Sequence, residues 1–148
     1  MGATYPDYFA ALVPIAAPLT VDQSGIDKLK NQPMWLIHTK ADATVQPENS
    51  VLPLYKSLIT SGATNKWFSY FETATGTDLP GTEYDGHWAW IYFFHDQVIG
   101  VQHPENTKNW DGYSGMVATD PTNGGGSRAS VNGQTYNSIF DWMSAQRH

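Results

Sequence analysis

The sequence predicts an α/β domain with a short, mostly parallel sheet, flanking helices and a long loop region toward the C-terminus. Three observations predict it. Pro33 to Thr39 (PMWLIHT) is a continuous apolar run of the kind found in strands covered on both faces. Val51, Leu54, Tyr55, Leu58 and Ile59 then recur at helical spacing. Lys66 to Phe71 (KWFSYF) follows as a second strand, alternating and rich in aromatics. Strand, helix and strand in succession favour parallel pairing, with helices covering the sheet.

The remaining elements follow in order. Ala11 to Ala17 (ALVPIAA) reads as a short buried strand, limited by prolines. Thr20 to Asn31 is polar, with a short helix expected around Ile26 to Lys30. Asp42 to Asn49 is a polar loop, and Pro47 opens the next helix, since proline suits a first turn. Ser61-Gly62 ends that helix. Thr73 to Gly86 reads as a long loop. His87 to His95 (HWAWIYFFH) is either a helix or a buried segment, because periodicity does not separate the two in so short a run. Residues 98–133 form a loop-rich insertion within a single domain spanning 1–148, weakest at Gly124-Gly125-Gly126. Tyr136 to Gln146 reads as a final helix, with Ile139, Phe140 and Met143 on one face and Trp142 beside them.

Composition narrows the function. The chain has 148 residues, 41% of them apolar and only 15% charged, so it can bury a core and is not a disordered chain. A net charge of −6 and a pI near 5.1 leave no basic footprint for nucleic acid or for an anionic membrane surface. The most apolar stretch, Ala10 to Leu19, is interrupted by Pro14 and Pro18 and falls well short of the ~20 residues of a membrane span. No cysteine is present, which removes disulfides, thiolate zinc sites and thiol catalysis. Met1 to Thr4 leads directly into Tyr5-Pro6-Asp7 without a signal peptide, which leaves the compartment open.

Asp42 follows the C-terminal end of a predicted parallel strand, where open α/β sheets place their sites. His87 follows the next strand after a long loop. An Asp orients an imidazole and stabilises its charged form, while the imidazole moves a proton between nucleophile and leaving group. Each residue also has a structural reading: Asp42 as a turn former, and His87 as a ring packed among Trp88, Trp90 and Tyr92. His38 lies within a strand and reads as a satisfied core histidine. His95 and His103 have no partner at a metal-like spacing, and His148 is terminal. Asp78, Glu83, Asp85 and Asp96 crowd the segment around His87 and offer oxygen ligands for calcium, but no DxDxDG pattern is present. Trp67, Trp88, Trp90 and Trp110 offer a platform for sugars or aromatic ligands, against the commoner role of aromatics in cores.

Thr4 to Pro18 (TYPDYFAALVPIAAP) resembles the segment after the nucleophile elbow in esterase- and peptidase-like α/β-hydrolases. Pro33 to Asn65, with the pattern K-x-D-x-x-V-x-P-x-N, resembles the strand, triad-acid loop and helix of that family. Tyr84 to Trp90 (YDGHWAW) resembles its triad-histidine segment, and Ile139 to Gln146 (IFDWMSAQ) its last helix. The resemblance is closest to the secreted bacterial esterases labelled prolyl-oligopeptidase-like. It implies a partial α/β-hydrolase fold, hydrolysis of a small-molecule or carbohydrate-linked ester, no cofactor, Asp42 as triad acid and His87 as triad base. The sequence departs from the family in one respect: no G-x-S-x-G nucleophile elbow is present. Ser114 and Ser127 lie in glycine-rich stretches without that motif. The expectation is a C-terminal hydrolase portion whose Ala11 to Ala17 edge is completed by an N-terminal half or by a second copy in a homodimer. The alternative expectation is a non-catalytic, aromatic-rich binding or assembly module.

Overall fold

The computed structural model describes residues 1–75, 79, 81–96, 98, 100–103, 113, 115–118 and 129–147. Its centre is a parallel pair, β1 (Met34–Thr39) and β2 (Lys66–Phe71), in register from Met34 opposite Lys66 to Thr39 opposite Phe71. Every residue of both strands is buried. The expected polar-and-apolar alternation in β2 is therefore an alternation between two covered faces. The two-residue strand period sends Trp35, Ile37, Trp67 and Phe71 to one face and Met34, Leu36, Phe68 and Tyr70 to the other.

Two helices cover the second face. Helix α1 (Gln23–Leu29) begins earlier than the periodicity suggests, because Asp22 caps it by accepting from the Gly25 amide at 2.8 Å. Helix α2 (Val51–Thr60) follows a separate 3-10 turn at Pro47–Asn49, so Pro47 opens that turn and not the α-helix. Ile26, Leu29, Leu52, Tyr55 and Leu58 pack on this side of the sheet.

The β2 strand is followed by a two-residue antiparallel pair, β3 (Ala74–Thr75) with β4 (Glu83–Tyr84), inside the segment expected to be all loop. His87 lies in a 3-10 turn, Gly86–Trp88, and helix α3 (Trp90–Phe94) continues from it. Beyond residue 128 the expected loop gives way to a hairpin of β5 (Ala129–Val131) and β6 (Gln134–Tyr136). Asn132 and Gly133 turn it with φ of 51° and 79°, the conformation that Asn-Gly favours in a two-residue hairpin. The last helix, α4 (Ile139–Ala145), therefore starts after the hairpin and not at Tyr136.

Helices α3 and α4 cover the first face of the sheet. Trp142 meets Trp35 edge-on at 5.5 Å, and Trp35 stacks on Trp67 at 5.3 Å. The buried side of α4 is thus Ile139 and Trp142, while Phe140 and Met143 are exposed, contrary to the expected face. Asn65, at the entry to β2, accepts from the indole nitrogens of both Trp67 (2.7 Å) and Trp142 (3.2 Å). The Lys66 side chain is fully buried, and its ammonium donates to the carbonyls of Lys30, Gln32 and Thr64. It ties the end of α1 to the start of β2.

Ala11 to Ala17 lies parallel to β1 on the side away from β2, but it is half-buried and not the buried strand expected. Two bridges hold it, Leu12 to Met34 and Ile15 to Ile37. The reason is one-sided pairing. Leu12 and Ala16 donate to Pro33 and Ile37, and Leu12 and Pro14 accept from Trp35 and Ile37. The backbone groups of Val13 and Ile15 have no hydrogen-bond partner among the described residues. The opposite border of the sheet is met by Gln102, whose amide donates to Phe68 at 2.7 Å.

Candidate active site

The site is built at the C-terminal ends of the parallel strands. Pairing continues past β1, since the amides of Lys40 and Ala41 donate to Phe71 and Glu72. The chain then turns at Asp42, whose side chain is completely buried. Its Oδ1 accepts from the amides of Thr44 (2.9 Å) and Val45 (2.7 Å), closing an Asx turn. Its Oδ2 faces His87 Nδ1 at 3.0 Å and His38 Nε2 at 3.3 Å. Among the described residues, the carboxylate meets two backbone amides and two imidazole nitrogens.

His87 reaches Asp42 because its own turn is clamped to the end of β1. The Thr39 hydroxyl donates to the Gly86 carbonyl at 2.5 Å. Asp85 accepts from the His87 amide at 2.8 Å. Gly86 packs directly on the Asp42 turn: a Cβ there would overlap the Ala41 carbonyl and approach the Asp42 nitrogen to 2.7 Å. The His87 ring meets Trp90 edge-on at 5.4 Å and remains 28% exposed.

The hydrogen-bond chemistry assigns the tautomer. A carboxylate accepts, so Nδ1 of His87 carries a proton, and in the neutral ring Nε2 is then the nitrogen that keeps the lone pair. The structure therefore brings together Asp42 and His87, residues 45 apart in sequence. His38 is buried, as expected of a core histidine, and donates to the Val45 carbonyl at 2.8 Å. Its pKa lies below the ordinary 6.5, because burial disfavours the cation more than Val45 and Asp42 favour it. Its contact with Asp42 was not read from the sequence, although His38 and Asp42 stand four residues apart at the strand end.

The other candidates separate. Trp67 is fully buried in the core, Trp90 is half-buried and Trp88 is 44% exposed, so these three do not share one surface platform. Trp110 lies outside the described residues. Tyr84, Trp88 and Trp90 do make a run of near-parallel rings, with centroids 5.7 and 6.3 Å apart. Glu83 and Asp85 are exposed, and no three acidic or histidine side chains converge on a metal position among the described residues. Asp78, Ser114, Ser127 and His148 lie outside the described residues. A cleft of about 320 Å³ opens beside the Asp42 turn, lined by Pro18, Thr20, Thr44, Val45, Gln46 and Asn49 among others.

No family model matches the chain, and no curated protein matches it. Among solved structures, a thermostable esterase matches with a TM-score of 0.50 and 30% sequence identity. The fold is similar to part of an esterase. The match covers 65% of this chain and 24% of the esterase, so the chain spans about a quarter of that protein's length. The likeness supports an α/β-hydrolase-like fold. Among the described residues, no helix is long and apolar enough to cross a membrane.

Proposed function

We propose that this chain supplies the acid–base half of a serine carboxylic-ester hydrolase. The observation that carries the reading is the 3.0 Å contact from His87 Nδ1 to the buried Asp42 carboxylate. In this reading His87 Nε2 takes the proton of a serine hydroxyl as its oxygen bonds to the ester carbonyl carbon. The imidazolium, stabilised by Asp42, then gives that proton to the alkoxide as the ester C–O bond breaks. A water repeats the cycle, releasing the acid and restoring the serine. The serine and the oxyanion-stabilising amides come from a segment outside these 148 residues, since no G-x-S-x-G motif is present in them. That segment adds a strand beside Val13 and Ile15, whose backbone groups face away from β1. A homodimer through the same edge is the competing arrangement. The substrate is a small-molecule or carbohydrate-linked ester.

The purified chain is expected to hydrolyse p-nitrophenyl acetate slowly, above buffer, through His87-activated water. The rate stays far below a complete enzyme's, because triad-free catalysis reaches only roughly 10³-fold over water even with an oxyanion hole. His87→Ala and Asp42→Asn should return the rate to that of buffer. Equal turnover above buffer in all three chains would remove His87 as the base.

One observation favours a second reading, a non-catalytic aromatic binding module: the exposed Trp88 between Tyr84 and Trp90. Under that reading the same two substitutions leave ligand binding unchanged and no turnover exists to lose.

A further inference from the structure

His38 occupies the second-last position of β1 and is 1% exposed. Its Nε2 lies 2.8 Å from the Val45 carbonyl oxygen. A carbonyl only accepts, so this nitrogen carries the proton. The Val45 amide in turn donates to Asp42 Oδ1 at 2.7 Å. The turn is therefore closed twice, once onto its own carboxylate and once onto the strand. The same His38 Nε2 stands 3.3 Å from Asp42 Oδ2, the oxygen that meets His87. Two imidazoles thus share one buried oxygen, and only one of them reaches solvent.

Resting on the acid–base reading above, we propose that His38 is a positioning residue for the Asp42–His87 pair. Its Nε2–H latches the Asp42–Val45 turn to β1 and sets Oδ2 against His87 Nδ1. The arrangement requires a neutral His38, since a second imidazolium would compete with His87 for the charge of Asp42. Burial supplies that condition. The charged and titratable groups around His38 are Asp42, His87 and Glu48, and those bonded to His87 are Asp42 and Asp85. None of the others bonds the Val45 carbonyl, so the latch belongs to His38.

The test is imidazole NMR on the whole chain, following the His87 Nδ1–H proton and the two His87 ring nitrogens. In the unmodified chain the Nδ1–H proton is expected to be protected and the ring to hold the single Nδ1–H tautomer when neutral. His38→Leu should lose the protected proton to solvent exchange and mix the tautomers. His38→Gln places an amide N–H near the former Nε2 position and should restore both signals. Overall folding, read from the amide spectrum, stays native in both variants, so a purely structural role would leave the His87 signals alone. If His38→Leu keeps the proton while Asp42→Asn loses it, the latch is wrong and the acid–base pair stands. If Asp42→Asn also keeps it, the acid–base reading falls and the latch with it. Should His38→Leu not fold, the scalar coupling from His38 Nε2 to the Val45 carbonyl carbon decides the matter in the unmodified chain. A measurable coupling supports the latch, and its absence together with a freely exchanging His38 Nε2–H overturns it.

Discussion

Gly86 is the residue on which the approach of His87 to Asp42 depends. Its neighbours at the contact are backbone atoms of Ala41 and Asp42, which cannot swing aside as a side chain would. A methyl group there must push the His87 turn away from the end of β1. Gly86→Ala should therefore cost about 1–3 kcal/mol, the usual range for overpacking, and separate His87 from Asp42. Urea denaturation measures the first effect. Any turnover of p-nitrophenyl acetate should fall with the second. A variant as stable as the parent would show that the two turns are not in contact in solution. Nothing about this glycine was legible in the sequence beyond its place before His87, because the contact is with a segment more than forty residues away.

Among the elements, the edge segment 11–17 and the last helix differ in how they are held. Residues 11–17 bond β1 through Leu12, Pro14 and Ala16 only. The amides of Val13 and Ile15 should exchange with deuterium much faster than those of Leu12 and Ala16 in the isolated chain. A bound strand should slow the first pair selectively, and uniform protection in the isolated chain would indicate an edge already paired in a homodimer. Helix α4 is held by Trp142 against Trp35 and by its indole bond to Asn65. Trp142→Ala should cost about 3–5 kcal/mol in a denaturant melt, as for other buried aromatics. Helical spacing in the sequence marked Ile139, Phe140 and Met143 as one apolar face. Only the position of the sheet chose Ile139 and Trp142 for burial, leaving Phe140 against the ring of Phe93, 5.0 Å away.

The stability of the whole molecule should carry two pH signatures. The pKa of His38 is depressed below 6.5 in the fold, chiefly by burial. As pH falls below 6.5, the unfolded chain takes up a proton that the folded chain resists, so stability falls. Lys66 is lowered from 10.5 to about 8 by burial. Between pH 8 and 10.5 the unfolded chain holds a proton that the folded chain has released, so stability rises through that window. Urea melts across pH 5 to 10.5 should show both slopes. His38→Gln should flatten the acid slope, and Lys66→Met the alkaline one. Slopes unchanged by these substitutions would place the responsible groups elsewhere.

Apolar runs and 3.6-residue spacing are local properties of the chain, and they suffice for the α/β class, both central strands and the helix between them. The sequence also pointed to Asp42 through a strand end, and to His87 through its place after a long loop and the resemblance of Tyr84 to Trp90. The β5–β6 hairpin is an element the sequence reading missed, although Asn132-Gly133 is a local turn signal, because the glycine-rich composition before it favours loop. Tertiary structure alone decided what touches what. It brought His38 to the oxygen that His87 uses, and it left the backbone groups of Val13 and Ile15 without a partner among the described residues. It also buried Lys66 among three carbonyls and left Trp88 at the surface. Each of these depends on contacts between segments distant in sequence, where burial and close approach, and not local propensity, set the free energy.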